Sequence, residues 1–127
     1  MKVVKAVKLQ KLEPDFTICK VSSVDQVDLS CEYVFLARTP DEISLVCETS
    51  QTPDEVLERE DGWKAFVVAG TLDFGLVGII ARISSILAEA KISLFVVSTY
   101  NTDYVLLKVE DFARGLKLLA EEGYQIS

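Results

Sequence analysis

The chain has 127 residues, 50% of them apolar and 26% charged, with thirteen Lys and Arg against twenty Asp and Glu for a net charge of −7. That length holds one domain or two very small ones sharing a core, which excludes a multidomain enzyme. The acidic balance argues against a nucleic-acid or anionic-membrane surface, and the absence of histidine removes the commonest general base, the commonest transition-metal ligand and the Ser-His and Cys-His nucleophiles together.

Residues 1–12 carry Lys2, Lys5, Lys8 and Lys11 and never place more than two apolar residues side by side, so they hold no signal-peptide core. No run approaches the roughly 18 apolar residues of a membrane span, and a soluble, cytoplasmic protein is expected. Met1 to Leu9 is expected to supply an additional edge strand whose lysines oppose sheet-to-sheet aggregation. Asp15 to Val21 reads as a strand. Cys19, Cys31 and Cys47 form no C-x-x-C pair and are odd in number, which reads as reduced thiols rather than a disulfide framework or a zinc site. Ser22 to Glu32 shows little periodicity. Tyr33 to Thr39, the polar Pro40-Asp41-Glu42 and Ile43 to Cys47 read as strand, turn, strand. Thr52 as N-cap, Pro53 at the first helical position and Glu55 three residues after the cap then predict a helix start.

The second half carries the clearer pattern. Trp63 to Gly70 has the β-branched and aromatic content of a buried strand, punctuated by Gly70, Asp73 and Gly75. Leu76, Ile79, Ile80, Ile83, Leu87 and Ala90 recur at helical spacing and predict a helix of about four turns. Ser93 to Thr99 and Tyr104 to Val109 are two strands whose short link at 100–103 implies an antiparallel hairpin. Glu110 and Asp111 suit the start of a second helix, which runs through Phe112, Leu116, Leu119 and Ala120 to Gly123. Tyr124 to Ile126 is a final short strand. The order β-α-β-β-α-β is that of the α+β ferredoxin-like fold. The first half repeats it at a spacing of about 60 residues without the long first helix. The expected organisation is a reduced repeat at 1–61 and a complete one at 62–127. A domain of about 60 residues is marginal alone, so the halves are expected to fuse, as one continuous sheet or two sheets side by side.

Three segments carry a resemblance: Trp63 to Gly70, Asp73-Phe74-Gly75-Leu76-Val77-Gly78-Ile79-Ile80-Ala81, and Ile92 to Leu106 with its Ser98-Thr99-Tyr100-Asn101-Thr102-Asp103. Together they resemble tandem ACT-domain proteins related to the regulatory ACT regions of aspartate kinases and to the cytosolic arginine sensors of animals. Arg38 to Val46 is similar to a second signature of that group. The resemblance covers roughly residues 5 to 127. It implies two fused ACT-like repeats, the first reduced, and a non-catalytic regulatory module that binds a free amino acid where ACT units meet. A kinase domain does not fit in 127 residues.

Gly75 and Gly78 bracket the predicted first turn of the long helix, where unpaired N–H groups attract a carboxylate; equally, they shape a tight turn and allow close helix-to-sheet packing. Asp103, read by itself, is a turn residue. The resemblance implies ligand contacts from Asp73, Phe74, Gly75, Leu76, Val77, Gly78, Thr99, Tyr100 and Asp103, with Asp103 facing a cationic group. Glu42, in the equivalent turn of the first half, reads as solvated or paired with Arg38. Ser84 and Ser85 have no activating base, and the pairs Asp41-Glu42, Asp54-Glu55 and Glu121-Glu122 read as solvated surface rather than a metal site. No catalytic residue, metal or cofactor is expected. The function implied is amino-acid binding by a homodimer. The alternative is a ligand-free interaction or dimerisation module acting on a partner enzyme.

Overall fold

The computed structural model describes residues 7–70 and 78–127. They fall into two compact units, one Pro14–Trp63, the other residues 7–13 with those from Lys64 onward. The strands are β1 (Val7–Lys11), β2 (Phe16–Val21), β3 (Val34–Arg38), β4 (Ile43–Glu48), β5 (Glu58–Gly70), β6 (Leu94–Ser98), β7 (Asp103–Lys108) and β8 (Gln125–Ile126). The helices are α1 (Ile79–Glu89) and α2 (Val109–Glu121).

In the Pro14–Trp63 unit the strands run β3-β4-β2-β5, each antiparallel to its neighbour. The first strand of the unit thus lies between its third and fourth, the ferredoxin-like order. Both connecting helices are reduced to single 3-10 turns. The first, Val24–Gln26, is closed by a capping box between Ser23 and Gln26. The second is Thr49–Gln51, so the helix predicted from Thr52 does not form. Helical geometry starts at Thr49, four residues before the first helical position that the capping pattern suggests, so Pro53 would be the fifth residue of a continuing helix rather than its first. There its ring would meet the Thr49 carbonyl, and it holds Thr52 extended at φ −68, ψ 134. Between the pairs Phe16↔Trp63 and Ile18↔Glu60 the single residue Thr17 faces two, Asp61 and Gly62, and Gly62 takes φ +84. This is a β-bulge that needs glycine. One sheet face carries the buried Cys19, Val21, Leu45 and Cys47, against which Val27 and Val56 pack from the two connections.

In the other unit, β5 begins five residues before the predicted Trp63 in sequence but contributes residues 64–70, and the order is β6-β7-β5-β1-β8. The first strand is not at the edge as expected: β1 lies between β5, to which it is antiparallel, and β8, to which it is parallel. Its alternation explains the position, since Val7 and Leu9 are 2% and 0% exposed and point into the core. Residues 1–6 lie outside the described residues. Both helices cover one face, with Ile83 and Leu87 of α1 and Leu116 and Leu119 of α2 packed on Phe66, Val68, Val105 and Leu107. The described α1 has eleven residues, shorter than predicted; Gly78 is its N-cap and not part of its first turn, and Leu76 and Val77 lie outside the described residues.

The internal repeat has a fixed phase. Arg38↔Ile43 closes the β3–β4 hairpin and Ser98↔Asp103 closes the β6–β7 hairpin, sixty residues on. Thr39 and Thr99 make the same turn: each backbone N–H and hydroxyl donates to the carbonyl three residues later, and each Oγ1 accepts the N–H of that residue. Glu48 and Lys108 then share an extended N-cap geometry, φ −61, ψ 139 and φ −58, ψ 143. The counterpart of Glu42 is therefore Thr102, and that of Asp103 is Ile43, one residue off the match made from the sequence.

Candidate functional site

Gly78 precedes α1 with φ +82 and ψ 9, a left-handed conformation that glycine adopts without the steric cost other residues meet. Among the described residues no side chain caps the helix, and its first N–H groups carry the partial positive charge of a helix start. The β6–β7 hairpin is held by the Thr99 turn just described. Thr102 adds a second tie, because its hydroxyl donates to the carbonyl of Val68 on β5, two residues before that strand ends. In the sequence Thr102 reads as one more polar turn residue; its place is visible only once the repeat phase is known.

Asp103 is the first residue of β7 rather than part of the turn, and it shares a strand face with Val105 and Leu107, the face that meets the helices. It is half-buried. Thr99 spends its polar groups within the turn, and Tyr100 stands at the tip with 91% of its surface exposed. Gly78, Thr99 and Asp103 are thus described parts of one unit. Tyr100 is in solvent. Asp73, Phe74, Gly75, Leu76 and Val77 lie outside the described residues.

Among the described residues, concavities also lie elsewhere. An open groove of about 720 Å³ runs between α1 and α2, floored by Ile86 and Leu118 and edged by Glu89, Glu121 and Glu122. Arg82 in its wall donates to Glu122 at 3.1 Å, and burial pushes the nearby Tyr124 phenol up in pKa against the opposing pull of the Arg82 cation. A shallower one of about 340 Å³ in the Pro14–Trp63 unit is lined by Asp28, Ser30, Cys31, Glu32, Glu48 and Gln51. The thiols are poor nucleophiles. Burial lifts Cys19 to about 11 and raises Cys47, and desolvation raises Cys31. Among the described residues no cluster of three or more His, Cys, Asp or Glu is arranged to hold a metal ion, and no helix is long and apolar enough to cross a membrane.

The sequence pattern of the ACT domain matches residues 58–121. The chain belongs to the ACT domain family. Its fold is similar to that of Atu0741 from Agrobacterium tumefaciens, at 30% identity over 95% of this chain and 92% of the other, with a TM-score of 0.84. It is also similar to a putative C-terminal regulatory domain of aspartate kinase from Porphyromonas gingivalis, at 20% identity over 91% and 94% of the two chains and a TM-score of 0.55. The third likeness is to the allosteric aspartate kinase of Clostridium acetobutylicum, at 15% identity and a TM-score of 0.66, spanning 91% of this chain and 33% of that enzyme. No curated protein matches the sequence. ACT domains are regulatory modules. The chain has a tandem ACT-like fold with its first repeat reduced, and its fold is similar to that of the putative aspartate kinase regulatory domain.

Proposed function

We propose that this ACT protein is a cytoplasmic regulator without catalysis of its own, in which repeats at 1–61 and 62–127 bind a free α-amino acid. The ligand carboxylate meets the backbone N–H groups of Gly75 to Gly78, and its ammonium or cationic side chain faces Asp103, with Thr99 and Tyr100 beside it. The observation that carries this reading is the presence, within one unit, of a helix start at Gly78 with no side-chain cap among the described residues and of a half-buried carboxylate at Asp103, on a hairpin tied to the end of β5 by Thr102. A helix start stabilises an anion by about 0.3–2 kcal/mol, and a charge-assisted hydrogen bond contributes about 1.5–3 kcal/mol. Those terms suit a weak sensor whose remaining affinity comes from apolar contact.

β3 and β6 each have one hydrogen-bonded neighbour. Their open edges support a homodimer joined along a sheet edge.

Calorimetric titration of the full chain with each free amino acid tests the reading. One of them is expected to bind, and Asp103→Asn is expected to weaken it roughly tenfold, about 1.4 kcal/mol, at unchanged melting temperature. Equal affinity in Asp103→Asn moves the ligand elsewhere. Failure of every amino acid at millimolar concentration replaces the reading with the ligand-free interaction module.

A further inference from the structure

The charge of the chain is segregated between its two units. Pro14–Trp63 holds three Lys and Arg against twelve Asp and Glu, a net −9, while the remaining residues hold ten against eight, a net +2. Within that unit the connections 22–33 and 49–57 contain Asp25, Asp28, Glu32, Asp54 and Glu55, all exposed, and no cation. The same connections lie over the sheet face that α1 and α2 cover in the other unit, and they cover it with little more than Val27 and Val56. Large apolar side chains remain in solvent there. Leu29 is 71% exposed, Leu57 62%, Val24 40% and Leu36 38%. Leu36 stands opposite Leu45 on the core face of the sheet, and a 2.5 Å hydrogen bond from Gln26 Nε2 to the Glu55 carbonyl holds the two connections together.

We infer that this face is a docking surface for a cationic amphipathic helix of a partner protein, which takes the place of the helices this repeat lacks. The occupant follows from shape and charge. The repeat's complete version shows that helices fit on this face, and exposed leucines on connections that carry five exposed carboxylates and no cation select an apolar stripe flanked by Lys and Arg. A second copy of this chain fits less well: by the same face it would bring another net −9 unit, and neither of its helices is cationic, α1 carrying Arg82 with Glu89 and α2 Arg114 and Lys117 against Glu110, Asp111 and Glu121. The surface is carried by residues other than those of the amino-acid site, and the inference does not depend on that reading.

The test uses the full chain and two labelled 18-residue probes, one of periodic Leu and Lys and one of Leu and Glu, followed by fluorescence anisotropy at physiological salt with circular dichroism of the mixture. The Leu/Lys probe is expected to bind and gain helix, and the Leu/Glu probe to remain free. Leu29→Ser with Leu57→Ser is expected to weaken binding at least tenfold, and Asp54→Asn with Glu55→Gln severalfold. These side chains are exposed, so the melting temperature of each variant should match that of the parent and separates lost docking from lost fold. The inference is overturned if the Leu/Lys probe does not bind, or if Leu29→Ser with Leu57→Ser leaves its affinity unchanged, which would mean charge attraction alone. It is equally overturned if that double variant converts a dimer into a monomer, which would make the occupant a second copy.

Discussion

Gly115, in the middle of α2, offers a sharp test of the packing between helix and sheet. A Cβ built there would stand 2.7 Å from Leu107 Cδ1 and 3.4 Å from Leu87 Cδ2, and both leucines are fully buried. Carbon atoms rest at about 3.5–4.0 Å, so the end of the Leu107 side chain would have to retreat by about 1 Å within a close-packed core. Gly115→Ala gains about 1 kcal/mol of helix propensity and costs about 1–3 kcal/mol in overpacking, which leaves a net destabilisation of about 1 kcal/mol. Leu107→Ala alone costs about 2–5 kcal/mol. In that background the Gly115→Ala methyl enters vacated space, so the propensity gain survives and about 0.8 kcal/mol of burial is added. The same substitution should therefore destabilise the parent and stabilise the Leu107→Ala chain, a coupling of about 2–3 kcal/mol. Urea denaturation of the four proteins measures the cycle. Equal effects of Gly115→Ala in the two backgrounds would refute the contact.

Two further outcomes follow from the Pro14–Trp63 unit. Thr17 is fully buried and has one hydroxyl hydrogen, which goes to the acceptor-only Asp61 carboxylate at 2.6 Å, while the Thr49 hydroxyl at 2.9 Å donates to Thr17. The Thr17 hydroxyl, and after it Arg59, holds the Asp61 carboxyl below its usual range; a depressed value adds stability that is present above the unfolded pKa near 3.9 and is lost as pH falls through the folded one. The stability gap between the parent and Thr17→Val should thus be constant above about pH 5 and shrink below about pH 4, as urea midpoints at neutral and acid pH will show; a gap independent of pH counts against it. Iodoacetamide at mildly alkaline pH should leave Cys19 and Cys47 unmodified in the native chain and react slowly with Cys31, because burial keeps the first two as thiols. Mass spectrometry that found rapid native alkylation of Cys19 would contradict the burial.

Much of the complete repeat was legible because its signals are local and periodic: the buried run into Gly70, the α1 stripe of Ile79, Ile83 and Leu87, and a hairpin link too short for anything but antiparallel strands. The capping pattern at Thr52 misled because capping residues mark a helix start only if the chain before them is not already turning, and here Thr49 turns first. The inserted β1 was not legible as a position. Its alternation announces a strand with one buried face, but which two strands it separates depends on pairing with Gln125 and Ile126 at the far end of the chain. In the candidate site, Gly78 and Asp103 are proposed through resemblance, whereas Thr102 needed the register, since a one-residue slip exchanges it with Asp103 in the comparison with Glu42.

The two repeats keep some features and differ in others for a physical reason. The hairpin turns at Thr39 and Thr99 and the caps at Glu48 and Lys108 are each determined within a few residues, so they persist with little help from the rest of the fold. A helix needs length. The connection 49–57 has nine residues where α2 alone takes thirteen, and Pro53 ends its first turn. The complete repeat buries Ile83, Leu87, Leu116 and Leu119 from its helices, each contributing about 1.5–3 kcal/mol, while the reduced repeat has half-buried Val27 and Val56 in their place. Several kcal/mol of apolar burial is therefore missing from one face of the Pro14–Trp63 sheet. Leu36 is exposed on that same face, the connections over it carry Leu29, Leu57 and five exposed carboxylates, and the missing burial is the free energy on which the proposed cationic helix would draw.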